Sequence, residues 1–406
     1  MMIWRRGKVI AFGKSWSEAL ELEVELIAGE EDRFGSSDDG LLVKALAYTQ
    51  IVGDISLGDT LLLSASAFKR GLGTGGYMFV VANTSRLPAD PHPQPGHLMK
   101  ARYTASQFMV QGVDEQESAY HQLLENADSI GGMPVICADL HSALPAIVLG
   151  LHSVNTEIRI AYVMSDGGAL PAWFSRAAAQ LKNAKAIIGT ISCGQAFGGD
   201  LEAVNIYTAL LAAKHVWNAD AAIVAQGPGN LGTGTKWGFS GTQIGEAINA
   251  AGILGGRPIA VLRLSNADAR SRHYGISHHT ARILQDIVTA ACDVPIPNFT
   301  ELRKLESGLQ ICANTAQKNT GITEFNDNDC NISSALLPNG FTQTLETQIS
   351  EITIRKNLHF SEILFSDLLP ALVSSPYPLR TMGRSFPQDA SAFIAAAAAG
   401  KFAAEF

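Results

Sequence analysis

Cysteine is scarce in this chain. Five residues among 406, Cys137, Cys193, Cys292, Cys312 and Cys330, are scattered, odd in number and form no CxxC pair. That scatter suits reduced thiols in a cytoplasmic protein. Basic charge is also short: Lys and Arg total 30 against 38 Asp and Glu, a formal net charge of -8. Neither nucleic acid nor a membrane is therefore expected as a partner, although a local basic pocket is compatible with the balance. Long apolar runs are missing. No stretch reaches the roughly 18 to 20 residues that a membrane helix needs, and Ala395–Ala399 is too short to count. The basic start Met1–Lys8 has no apolar stretch behind it, so no secretion signal is expected. There is no repeat with a period of about 20 to 50 residues.

What the chain does have is a globular composition, 47% hydrophobic and 17% charged, at a length that calls for two or three domains. Residues 1–90 read as a small β-rich domain, a barrel or a sandwich. Leu20–Leu26 alternates apolar and acidic side chains, the period of a strand with one wet face. The prolines at 88, 91, 93 and 95 then break the pattern and read as a linker. Residues 91–300 alternate apolar runs (133–138, 158–164, 186–191, 221–225, 258–264) with helical stretches, among them 202–217 and 278–292, the rhythm of a mainly parallel three-layer α/β sheet domain. Residues 301–406 read as a polar insertion at 312–335 followed by a helical C-terminal segment, with helices at 358–372 and 390–404.

In such a sheet, ligands bind beyond the carboxyl ends of the strands. The richest of those loops follows the apolar run Ala221–Ala225. It contains Gly227, Gly229, Gly232, Thr233, Gly234, Thr235 and Lys236. Its spacing matches GxGxxG, yet no helix begins directly after the third glycine, and no acidic residue follows about 20 positions on. The loop fits a generic nest for a phosphate or carboxylate better than a dinucleotide fingerprint. Arg270 and Arg272 are the natural countercharges. Ser277 is a good N-cap, which places His278 and His279 in a first helical turn where neutral imidazole is favoured. With Asp166 and Asp200, these histidines are the candidate reacting groups. Adjacent helical positions diverge by about 100°, which disfavours both imidazoles on one metal. Asp139, His141, Asp166, Asp200, Glu202 and His278 would suit a carboxylate–imidazole metal site, but none has the tight spacing of a zinc motif. The metal stays unknown, and no cofactor is assigned.

Several segments together resemble a bacterial family, common in actinobacteria, known as domain of unknown function 3866. They are Gly71–Tyr77, Met99–Thr104, Tyr162–Gly167, Ala196–Ala203, Gly227–Gly241, Arg272–Thr280 and Thr381–Arg384. The resemblance covers most of the chain and implies no activity. One departure is Gln195, where the family pattern has histidine. The expected partner is a small anionic ligand, and a homo-oligomer is expected. Enzyme, non-catalytic ligand sensor and oligomeric scaffold all remain open. A histidine and a carboxylate meeting in one pocket would favour the first.

Overall fold

The computed structural model describes residues 2–28, 38–308, 336–352 and 356–406. The polar insertion expected at 312–335 lies outside them. The chain divides into two compact units, Met1–Val110 and Gln111–Phe406. The division falls beyond the proline cluster, because two short strands still belong to the first unit.

The first unit is a closed barrel of β1 (Trp4–Trp16), β2 (Ala19–Ile27), β3 (Leu42–Tyr48), β4 (Thr60–Ser64) and β5 (Met78–Asn83), in the order β1-β2-β3-β5-β4. All neighbours are antiparallel except β3 and β5. Alternation in β2 puts Leu22, Val24 and Leu26 inside with Val9, Val43, Leu61, Leu63 and Met78, and leaves Glu23 and Glu25 in water. Closure satisfies the edge strands that an open sheet of this size would leave unpaired. A separate hairpin, β6 (Leu98–Lys100) with β7 (Phe108–Val110), follows the proline segment.

The second unit holds a sheet built from β8 (Pro134–Ala138), β9 (Ile160–Ser165), β10 (Gly189–Cys193), β11 (Leu201–Ala203), β12 (Ala221–Gln226) and β13 (Arg257–Ala260). Then come the small pair β14 (Leu264–Ser265) and β15 (Gly275–Ile276), and last β16 (Cys292–Pro297) and β17 (Leu358–Ile363). The large sheet runs β11-β10-β9-β12-β8-β13-β16-β17, and every neighbouring pair is parallel. From β8 the chain first builds toward β11, then inserts β12 beside β8 and continues on the other side through β13 to β17. That reversal is the switch point at which open parallel sheets hold ligands.

Both faces are covered, as continuous apolar strands require. Helix Leu144–Val154 packs with helix Ala390–Ala403 on one side, and helix Ile206–His215 with helix Thr242–Ile253 on the other.

Three expectations need correction. Leu358–Leu372 does not begin as a helix: Leu358–Ile363 is the edge strand β17, paired with β16 along its whole length. Its burial does not alternate: Leu358 and Ile363 are buried while His359 and Glu362 are exposed, so no period of 2 marks the strand in the sequence, and pairing with β16 decides it. The helix expected from Glu202 starts only at Ile206, because Leu201–Ala203 adds to the sheet beside β10. The stretch from His278 to Cys292 is a helix only to Arg282, followed by a π-helical turn at Ile283–Ile287 and then β16.

The last helix is apolar all round, and nearly all of it is buried, the pattern of a core helix. Its contact with Leu144–Val154 is backbone against backbone. A β-carbon on Gly150 would stand 2.0 Å from the Ala397 carbonyl oxygen, and one on Gly400 would stand 2.1 Å from that of Ile147. Gly150→Ala is therefore expected to destabilise the protein by about 1–3 kcal/mol, the cost of overpacking a rigid contact. Chemical denaturation would show a lower midpoint for it than for Ala146→Gly, which changes helix propensity without adding a clash.

Candidate functional site

Asp139 leaves the end of β8 and is 4% exposed. Its carbonyl oxygen accepts from Gln226 Nε2 at 2.8 Å, which ties the end of β8 to the end of β12. Arg263, just beyond β13, donates from Nη1 to Asp139 Oδ2 at 3.3 Å and to His279 Nδ1 at 3.1 Å. Burial raises the Asp139 carboxyl above the usual range, and Arg263 opposes that rise. Asp139 and Arg263 line a small cleft between the ends of β8 and β13, together with Ser142, Thr381 and apolar side chains. Neither Arg263 nor Gln226 announces itself in the sequence. The only signal for them is their position at the ends of strands.

Beyond Arg263 the chain turns back through β14 and β15. This hairpin brings His273, from a short 3-10 turn, to the helix start at Ser277. Ser277 Oγ accepts from the His279 amide, the cap that the sequence indicates, and lies 2.8 Å from His273 Nδ1. His273, His278 and His279 form one cluster whose ligand-capable atoms all lie within 4.8 Å of one another. The expectation that adjacent helical histidines point apart therefore fails. The rings of His278 and His279 meet at 4.3 Å between centroids, because both lie in the first turn, where Phe239 stacks flat on His279 at 3.9 Å. All three imidazoles are biased toward the neutral form. Burial and then Arg263 push His273 down to about 4 and His279 to about 3, and burial followed by Arg272 lowers His278.

The glycine-rich loop sits differently from a bare anion nest. Gly227 is there for close approach: its β-carbon would lie 2.3 Å from the Ala169 carbonyl oxygen. Gly229 and Gly234 adopt φ of 93° and 77° with open space around them, so they serve the turn itself. Gly232 pairs with Phe239. The Thr233 and Thr235 hydroxyls lie 3.0 Å apart, and the amides of Thr233 and Gly238 bond within the loop. The loop thus carries Phe239 to His279. Through Ser240 and Gln226 it also braces Asp139.

The other expected residues fall into two groups. Asp166 joins neighbouring loops, accepting from the Gln195 amide at 2.8 Å and from Gln243 Nε2 at 3.1 Å. Asp200 accepts from the Thr190 amide at 2.9 Å and from Lys182, which fastens β10 to the turn before β11. Neither belongs to the histidine cluster. His141 lies 3.0 Å from the Tyr162 hydroxyl and 2.7 Å from Ser175 Oγ, a buried polar tie. Arg270 is paired through both Nε and Nη2 with Asp268, whose carboxyl it holds well below the usual range. Lys236 and Arg272 are exposed, with no ion pair among the described residues.

A family model described as a protein of unknown function (DUF3866) matches residues 44–400. The chain belongs to that family. No curated protein and no solved structure matches it. The matched span of this DUF3866 member includes every residue of the cleft and of the histidine cluster. Among the described residues, no helix is long and apolar enough to cross a membrane.

Burial takes His141 from 6.5 down to about 4. A folded value below the unfolded one means that its contribution to stability is complete above 6.5 and is lost as the pH falls toward 4. Calorimetry should show the melting temperature falling over that window, with unfolding taking up about one proton at His141. His141→Gln should flatten the profile by that proton, and an unchanged slope would contradict the assignment.

Proposed function

We propose that this protein is an enzyme acting on a small anionic substrate, a phosphate- or carboxylate-bearing molecule, at the carboxyl ends of β8 and β13. The observation that carries this reading is the pairing of Asp139 and Arg263 in one cleft at the switch point of the sheet. A guanidinium in a water-poor site is a strong partner for an oxyanion. A carboxyl whose pKa is raised by burial holds a proton more readily than a free one, which suits it to take or deliver a proton. In this reading an incoming anion competes with Asp139 for Arg263, which frees the carboxyl to take or deliver a proton. His279, neutral and hydrogen-bonded to the same guanidinium, holds Arg263 in place when Asp139 lets go. Arg272 and Lys236 add countercharge from the rim, and the glycine-rich loop acts as the brace behind the site. The expected setting is cytoplasmic.

Two measurements test this reading. Orthophosphate or malonate should raise the melting temperature of the full chain in a saturable way, and the rise should vanish in Arg263→Met. If neither anion shifts the wild-type protein, the anion site falls. Against a panel of phosphate and carboxylate esters, Asp139→Asn should lower turnover by about 10²–10⁴-fold, the range for loss of a general acid or base. An Asp139→Asn protein as active as wild type would remove Asp139 from the chemistry.

A further inference from the structure

We propose that His273, His278 and His279 form a binding site for a divalent transition metal of the zinc class, and that the metal and Arg263 compete for His279. The first observation is geometric. Three imidazoles from a 3-10 turn and a helix start converge until one nitrogen from each lies within 4.8 Å of the other two. Zinc–nitrogen bonds of about 2.0–2.1 Å in a tetrahedral site place ligands about 3.4 Å apart, so side-chain rotations moving these atoms by about an ångström close the set. The second observation is an unpartnered ring nitrogen. His278 Nε2 is shielded from solvent and has no hydrogen-bond partner among the described residues. An unsatisfied buried polar atom costs roughly 1–3 kcal/mol, which a metal bond would remove. The third is the hydrogen bond that orients His273. If His273 Nδ1–H donates to Ser277 Oγ, 2.8 Å away, its Nε2 lone pair is free, the arrangement that orients metal-bound histidines. Three imidazoles with no thiolate suit zinc, copper, nickel or iron rather than calcium or magnesium. They also leave a fourth position for water or an anion.

The competition follows from counting lone pairs. A neutral imidazole has one, and in His279 it accepts from Arg263 Nη1 at 3.1 Å. A metal on Nδ1 takes that lone pair. A metal on Nε2 forces the proton onto Nδ1, where it faces the guanidinium as donor against donor. Either way Arg263 must release His279 when the metal binds, and it then turns wholly to Asp139 or to an anion. Part of the nearby positive charge is neutralised: Arg270 is paired with Asp268, Arg282 with Asp286 and Arg263 with Asp139, while Arg272 has no ion pair among the described residues. The electrostatic cost of a dication is correspondingly reduced. The metal site stands whether or not Asp139 is an acid–base group.

Cobalt(II) is the direct probe, because its visible absorption reports low-coordinate nitrogen ligation. The full chain, stripped with a chelator and dialysed, should bind one Co²⁺ per molecule with a visible ligand-field band, and Zn²⁺ should displace it. His278→Ala should weaken binding at least tenfold, in line with the loss of one of three ligands. Arg263→Met should bind Co²⁺ more tightly than wild type, while losing the phosphate or malonate response described above. Absence of the band in the wild-type protein, which needs no variant to fold, would overturn the metal site. So would a band undiminished in His278→Ala. Equal or weaker Co²⁺ binding by Arg263→Met would overturn the competition. An anion response that fails while the cobalt band appears would instead sink the substrate reading and leave the metal in place.

Discussion

Gly150 and Gly400 let two helix backbones meet with almost nothing between them, and the larger unit is arranged around that contact. An all-parallel sheet must be buried on both faces. Helix Ala390–Ala403 covers part of one face and reaches β8, β13 and β16 as well as helix Leu144–Val154. Alanines at eight of its fourteen positions keep it thin enough to lie flat. A larger side chain at the crossing would lift it from the strands. The cleft depends on the same contact, since Phe393 and Ala392 of this helix line it beside Asp139 and Arg263.

Within the site, Arg263 is the shared element. One guanidinium nitrogen donates both to a buried carboxylate and to a neutral imidazole. A buried charge keeps its place only while its partners satisfy it, so a change at either partner is felt at the other. That is a physical basis for coupling the anion cleft to the histidine cluster without any large movement. The flat stack of Phe239 on His279 fixes the ring plane and limits which nitrogen faces Arg263.

Several acidic residues in strand-end loops fasten their surroundings. Asp200 and Asp166 use their oxygens on backbone amides and on neighbouring side chains. Asp389, fully buried, accepts from Ser265, Asn266 and Arg384 and pins the loop after β14 to the start of the last helix. Such ties hold loops that would otherwise bury unsatisfied donors.

The sequence by itself determined the elements whose signal is local. Alternation in Leu20–Leu26 specified a strand with one wet face, the apolar runs from 133 to 264 specified buried parallel strands, and Ser277 specified where the histidine helix begins. The glycine- and threonine-rich run was legible as a special loop, but not as a brace, because its hydrogen bonds close upon partners that only folding supplies. Short apolar segments such as Leu358–Ile363 were ambiguous, since few residues cannot separate a period of 2 from one of 3.6. The meeting of Asp139, Arg263 and His279 joins positions separated by more than a hundred residues. It was decided by strand order, by the switch point beside β8, and by a hairpin that folds His273 back onto the next helix. Contacts of that separation leave no period in the chain, so only the tertiary structure could place them.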